Sequence, residues 1–523
     1  MSAPRAMVFA VAVTIIANVI ARASALLSQV IVGLYLTESQ VGAFALALGI
    51  NGFCCLLRSG GASYYLPTLR SHRFDHDGGR YFLWGSVFAG AGGLLSVMSA
   101  AALPGIPWLR SAAEAPGLAS SLILLGVRHW TMPITLLARS RMAVNLRFGE
   151  LAKLDTANAL LRLAVTWACA YAGLGALALV IPLLVSSVAE ALYCSCAAGL
   201  TRDSFRWKGA RLREMSHGMG WPLAVASLTS LGLQCHFLII GAMVPVNALG
   251  IFYFALQLTL QPVMVVGLAF QSVFAPLLAQ HRGHREAECD LITRVFMGSM
   301  LLVPVTTISI GGLFPLVERL IWHGKWADAN VPIAWLSLGA TFSTATAVLV
   351  GPLLGARHFR ALAGIELSRA LGIFGGAAVG GVVATLVPEQ DHPMLQPASL
   401  VGASTALGMT VTSIGQLVRV MTHFGLAPSD IATHIIHGPA ISMLAMVGAL
   451  SLAESAAASF PMPPGAAGAA IELAIASAAF GAVVLLAFRT LAESTVRAVA
   501  EILPGPYRPL YDRIMLLPPS SIA

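Results

Sequence analysis

Apolar runs about as long as a bilayer is thick recur about fourteen times between residues 7 and 488, and no other feature limits the possible folds as much. They fall at 7–35, 41–57, 81–103, 116–138, 154–173 and 176–200, then at 218–244, 249–278, 295–318, 332–354, 364–387 and 398–420, and finally at 435–456 and 469–488. In hydrocarbon each backbone N–H and C=O must be satisfied within its own segment, so runs of this length predict helices. Charged residues make up 10% of the chain, against about 25% in soluble domains, which excludes a soluble globule. The expected class is an all-α polytopic membrane protein. A cleaved secretion leader is the weaker reading of Arg5 followed by an apolar run and Ala23-Ser24-Ala25, because the run continues to Leu36.

Lysines and arginines collect on cytoplasmic loops, so their placement orients the chain. With an even span count and both termini inside, about 24 of the 31 basic residues fall inside, about 3 (Arg110, Arg319, Lys325) outside and about 4 within spans. The net charge of +8 then anchors the protein to an anionic inner leaflet and gives no support to a nucleic-acid partner. The cluster Arg202, Arg206, Lys208, Arg211 and Arg213 is read the same way. Seven scattered cysteines signal neither a disulfide framework nor a metal site. His281/His284 and His434/His437 have metal-like spacing but no third ligand, so no metal and no cofactor is expected.

The chain also looks doubled. Val41-Gly42-Ala43-Phe44 recurs as Leu249-Gly250-Ile251-Phe252, Pro67 falls opposite Pro276, Pro107 opposite Pro315, and Arg162 opposite Arg369, all at an offset near 208. An offset of six helices returns the chain to the same side of the membrane, which implies two pseudo-symmetric six-helix bundles of like orientation. The expected division is 1–216 for the first bundle with its basic loop, 217–421 for the second, 422–489 for two additional helices and 490–523 for an interfacial cytoplasmic tail. A cavity between the bundles is the expected substrate site.

Several strings carry a resemblance. Leu27-Ser28-Gln29, Thr37-Glu38-Ser39-Gln40-Val41-Gly42-Ala43-Phe44 and Ala143-Val144-Asn145-Leu146-Arg147-Phe148, with Leu151-Ala152 and Asp155 behind it, resemble bacterial polysaccharide-unit flippases of the multidrug/oligosaccharidyl-lipid/polysaccharide exporter superfamily. Phe274-Ala275-Pro276-Leu277, Gly324-Lys325-Trp326 and Gly351-Pro352-Leu353-Leu354-Gly355 extend the likeness to about residue 375. The resemblance implies a bacterial inner-membrane protein that moves polyprenyl-diphosphate-linked oligosaccharide from the cytoplasmic to the outer leaflet, beside glycosyltransferases and a polysaccharide polymerase. Two other readings stay open: a drug or amphiphile exporter of the same superfamily, and a membrane-embedded glycan polymerase or glycosyltransferase. Short outer loops speak against the enzyme, since only 388–397, with Glu389 and Asp391, holds two acids close together.

A sugar-diphosphate head bears about two negative charges, and taking them unpaired into hydrocarbon costs many kcal/mol. Arginine lowers that cost, because its planar fork grips phosphate oxygens bidentately and stays charged. Arg22 and Arg128 sit mid-span, too deep to snorkel, and are the first candidates for substrate binding. Arg162 and Arg369 lie nearer the inner face, where Glu366 offers Arg369 a partner, and Arg58 ends the second span. Asp155 and Glu190 are candidates for ion coupling or for partners of the arginines; Glu366, Glu454 and Glu472 are further acids in or near spans. Coupling is not obligatory, because moving two negative charges outward against ~100 mV, inside negative, is downhill by up to ~4.6 kcal/mol. Asn18, Gln29, Asn51, Gln234, His236, Gln257, Gln261 and Gln271 are expected to touch sugar, water or one another, and Pro222 and Pro262 to bend their helices.

Overall fold

The apolar runs fold as helices in the computed structural model of the chain, which describes residues 3–57, 61–66, 71–106, 114–145, 147–200, 205, 212–260, 285–355, 359–387, 392–459 and 465–491. The helices are α1 Ala3–Tyr35, α2 Glu38–Cys54, α3 Ser71–Ala102, α4 Leu118–Arg128, α5 Met132–Val144, α6 Phe148–Tyr171, α7 Leu177–Ala197, α8 Leu212–Ser230, α9 His236–Met243 and α10 Val246–Leu260. There follow α11 Arg285–Ile321, α12 Asn330–Gly355, α13 Phe359–Leu386, α14 Pro397–His423, α15 Pro428–Ser459 and α16 Ala466–Leu491. Among the described residues ten helical segments are long and apolar enough to cross a membrane, and α4 with α5 makes an eleventh. The three remaining runs correspond to α2, to α6 with its internal charges, and to α10. The chain is a multi-pass, all-α membrane protein.

Two compact units emerge. One holds residues 1–261 and 357–408, the other 262–356 and 409–523, so α14 contributes to both. These units group residues by packing and are not the same partition as the repeat expected from sequence.

In the first unit α1 runs along α6, and the rings of Tyr35 and Tyr171, at the ends of the two helices, lie 6.4 Å apart. The two helices are therefore parallel. The repeated strings meet each other: a Cβ on Gly42 of α2 would fall 1.8 Å from the Val246 carbonyl oxygen, and a Cβ on Gly250 of α10 would fall 1.9 Å from the Glu38 carbonyl oxygen. Each glycine faces the carbonyl four residues before the other, a reciprocal contact expected of two copies related by a pseudo-twofold axis. The ring of Phe44 packs edge-on to Tyr253 at 5.6 Å beside this crossing. The start of α2 is fixed locally, since Thr37 Oγ1 accepts from the Gln40 amide at 3.4 Å and Gln40 Oε1 accepts from the Thr37 amide at 3.0 Å.

Pro222 lies within a continuous α8, and the irregularity falls later, in a π-helical turn at Leu231–Cys235 that joins α8 to α9. The widened turn leaves the Gly232 carbonyl to accept from His236 Nδ1 at 3.2 Å. Pro262 lies outside the described residues.

In the second unit α11 packs with α12, α14 and α15 around Phe296, Met300, Phe342, Leu417, Met421, Ile431 and Ile435, and with α15 and α16 around Leu301, Ile308, Met446, Phe480 and Val484. Thr307 and Thr341 join α11 to α12 by a hydroxyl hydrogen bond of 2.6 Å. The string Gly324-Lys325-Trp326 has a structural basis here. Trp326 is fully buried, and its amide donates at 2.9 Å to Glu318 Oε1, a carboxylate that is itself 1% exposed.

Candidate functional site

The fourth apolar run is not one helix. It breaks at 129–131, and the axes of α4 and α5 differ by 44°. Three contacts hold the break. His129 is buried and its Nε2 donates to Asn51 Oδ1 on α2 at 3.1 Å; Thr131 Oγ1 donates to the Arg128 carbonyl at 2.8 Å and lies 2.7 Å from Ser187 Oγ on α7. The last carbonyls of α4 thus find a side-chain partner where the helix stops.

Arg128 ends α4 at this break and opens onto a cavity of about 410 Å³. Met132, Thr135, Leu136, Arg139, Ser140 and Ala143 of α5 continue its wall, at steps of three and four residues that form one helical stripe. Leu151, Ser187, Glu190 and Ser63 close it. Such a volume lies in the range of small-molecule sites, about 300–1,000 Å³.

Arg139 belongs to this wall. The fourth apolar run ends at residue 138, which alone would put Arg139 on a water-facing loop, but α5 runs on to Val144 and carries the side chain into the protein. Its Nη1 donates to Glu190 Oε1 at 2.6 Å and its Nη2 to Asp155 Oδ1 at 2.7 Å, so one guanidinium ties α5 to α7 and α6. Asn158 Nδ2 fixes the other oxygen of Glu190 at 2.9 Å. Arg139 thus meets both Asp155 and Glu190, and Arg128 shares the cavity wall with Arg139 and Glu190.

The polar stripe extends both ways along α6 and α7. Toward the middle of the span, Arg162 Nε donates to Ser186 Oγ at 2.9 Å, one residue from the Ser187 that lines the cavity. Toward the start of α6, Arg147 Nε donates to Glu150 Oε1 at 2.8 Å and Arg147 Nη1 to the Ala197 carbonyl at 2.7 Å. Glu150 and Arg147 lie outside the span, and the hydrogen bond from Arg147 holds the Glu150 carboxyl below its usual range.

The structure gathers some expected residues and separates others. Arg128, Asp155, Glu190 and Arg162 converge on the α4–α7 cluster. Arg22 is half-buried on α1, the neighbour of α6; counting 1.5 Å per residue, it lies roughly 20 Å below Tyr35, and Arg162 roughly 14 Å below Tyr171. Arg162 thus lies about 6 Å, roughly one helical turn, nearer that end than Arg22 and not nearer the opposite, inner face as expected. Arg369 stands apart on α13, where its Nη2 pairs with Glu366 Oε2 at 2.5 Å. Glu472 pairs with Arg319 of α11 at 3.0 Å, and Glu454 is exposed. Arg58, Glu389, Asp391, Gln261, Gln271, His281 and His284 lie outside the described residues. His434 packs edge-on to Phe296 at 6.3 Å.

Sequence reasoning missed Arg139, His129 and the serines of α7. The signal was present as spacing: 128, 132, 135, 139 and 143 form one stripe, as do 155, 158 and 162 on α6 and 186 and 190 on α7.

Residues 84–330 match the family described as polysaccharide biosynthesis protein, a stretch that includes the whole α4–α7 cluster except Ser63. Among solved structures, the lipid II flippase MurJ in an inward closed conformation is similar over 91% of this chain and 99% of its own, with a TM-score of 0.65 at 11% identity. The chain shares the fold of that flippase. An inward-facing multidrug resistance MATE family transporter of the MOP superfamily is similar over 79% of this chain and 96% of its own (TM-score 0.49, 15% identity), and a MOP superfamily transporter from Pyrococcus furiosus over 80% and 96% (TM-score 0.47, 14% identity). No curated protein matches the chain by sequence.

Proposed function

We infer that the protein is a flippase that carries polyprenyl-diphosphate-linked oligosaccharide units from the cytoplasmic to the outer leaflet of a bacterial inner membrane, by alternating access, for polysaccharide biosynthesis. One observation carries the reading: Arg128 and Arg139 share the wall of a cavity at a helix break in the middle of an apolar run. Ionised side chains at such depth are costly and are kept for binding or transport. Two guanidinium forks suit the paired phosphates of a lipid-linked sugar, and Ser140, Ser187 and Thr135 offer hydroxyls to the remaining oxygens.

Arg22 and Arg162, on adjacent helices and about one turn apart in depth, extend the path; Arg58 and Arg369 are candidates from the sequence alone, Arg369 being paired with Glu366. Asp155 and Glu190, expected as ion-coupling candidates, already hold a cation of the chain's own in Arg139. That pairing also weakens the drug-exporter alternative, because an organic cation needs an acid that is not already engaged. Both termini are assigned to the cytoplasm by the distribution of basic residues.

The test is complementation of surface-polysaccharide export in cells lacking the protein. Arg128→Ala or Arg139→Ala should each lower export by roughly tenfold to a hundredfold, the loss of one charge-assisted phosphate contact of about 1.5–3 kcal/mol. Lys at either position should restore part of it, since charge persists without the fork. Normal export by both Ala variants at normal membrane levels would refute the reading.

A further inference from the structure

The acids around Arg139 present a difficulty for an anion carrier. An anion-binding guanidinium is here met at 2.6 and 2.7 Å by two carboxylates from two different helices, and one of these is held in place by Asn158. Glu190 is nearly buried, with 12% of its side chain exposed. Such a built arrangement costs affinity for any arriving anion. It has to confer something else.

The surrounding membrane suggests what. The inner leaflet is rich in singly charged phosphodiester headgroups, present in vast excess over any lipid-linked sugar. A bare pair of guanidiniums reachable from that leaflet would fill with them. A phosphodiester brings one charge shared by two free oxygens, too little to replace two carboxylates on Arg139. A diphosphate brings two charges on adjacent phosphorus atoms, and can engage Arg139 and Arg128 of the same wall at once.

We propose that Asp155 and Glu190 form a charge filter on Arg139 that admits diphosphate-linked lipids and turns away the singly charged phospholipids of the bilayer. Specificity is a difference of affinities, and discouraging the abundant competitor is one way to obtain it. The filter rests on the anion site inferred above, and lends it selectivity rather than strength. Asn158 acts as a positioning residue, because its amide keeps Glu190 on Arg139 without contributing charge.

The experiment uses the full-length protein in mixed micelles, with farnesyl diphosphate as the bound probe and dioleoylphosphatidylglycerol as the competitor. In the unaltered protein the phospholipid should displace the probe poorly. In Asp155→Asn and Glu190→Gln the phospholipid concentration for half-displacement should fall by about tenfold, the loss of one charge partner, while probe binding holds or tightens. Asp155→Glu and Glu190→Asp, which keep the charge, should stay near the original value. If the neutral variants fail to fold, Asn158→Ala carries the test, with an expected fall of about threefold. Unchanged competition in the folded variants overturns the filter but leaves the anion site standing, provided that Arg139→Ala weakens probe binding by about tenfold or more. Probe binding unchanged by Arg139→Ala overturns both.

Discussion

Glu318 shows how a single buried carboxylate can be structural. It is almost fully buried in α11 and accepts the Trp326 amide, closing the turn between α11 and α12 over a fully buried indole. Replacing Glu318 by Ala leaves that amide without its acceptor and should cost about 1.5–3 kcal/mol. The expected outcome is a lower melting temperature in detergent and faster proteolysis at 322–329, with no change in diphosphate binding by the first unit. Lost binding with an unchanged melting temperature would assign Glu318 to the site instead. Glu318 was not legible as special in the sequence, since its partner lies eight residues on across a turn. Arg128 was legible, because depth in an apolar run can be counted. Arg139 was not: residues 139–153, with Arg141, Arg147 and Lys153 besides Arg139, read as a loop, and only the continuation of α5 to Val144 turns the side chain inward.

At the level of helices, the crossing of α2 and α10 leaves no room for a side chain on either glycine. The nearest atoms to either missing Cβ are backbone carbonyls, which cannot swing away as a side chain would. Gly42→Ala and Gly250→Ala should therefore destabilise alike, by about 1–3 kcal/mol each, as overpacked substitutions do. Matched melting curves of the two variants would check the reciprocity, and a strong effect at one glycine with none at the other would contradict it. The repeat that pairs these glycines was visible in the sequence. The break between α4 and α5 carries a local mark that a count of apolar residues passes over: Pro133, in the first turn of α5, has no N–H to bond the His129 carbonyl four residues back. Tertiary bonds, of His129 to α2 and of Thr131 to α7, then hold the break.

For the whole molecule, hydropathy alone located the fourteen runs, and the helices fall on them wherever the chain is described. Orientation is a separate inference from charge, and it is testable residue by residue. With the seven native cysteines replaced by serine, Asn145→Cys and Leu174→Cys should differ: an impermeant maleimide should label position 174 in intact cells and position 145 only after permeabilisation. The reverse pattern would invert the topology and with it the direction of transport.

The placement of the anion site in the first unit can be read directly by photo-crosslinking. A polyprenyl diphosphate carrying a photoreactive group beside the phosphates would be irradiated with the protein in proteoliposomes, and the adducts mapped by mass spectrometry. Adducts within 128–143, 151–162 or 186–190 that vanish in Arg139→Ala are the expected result. Adducts confined to 285–355 or 409–491, insensitive to Arg128 and Arg139, would contradict it.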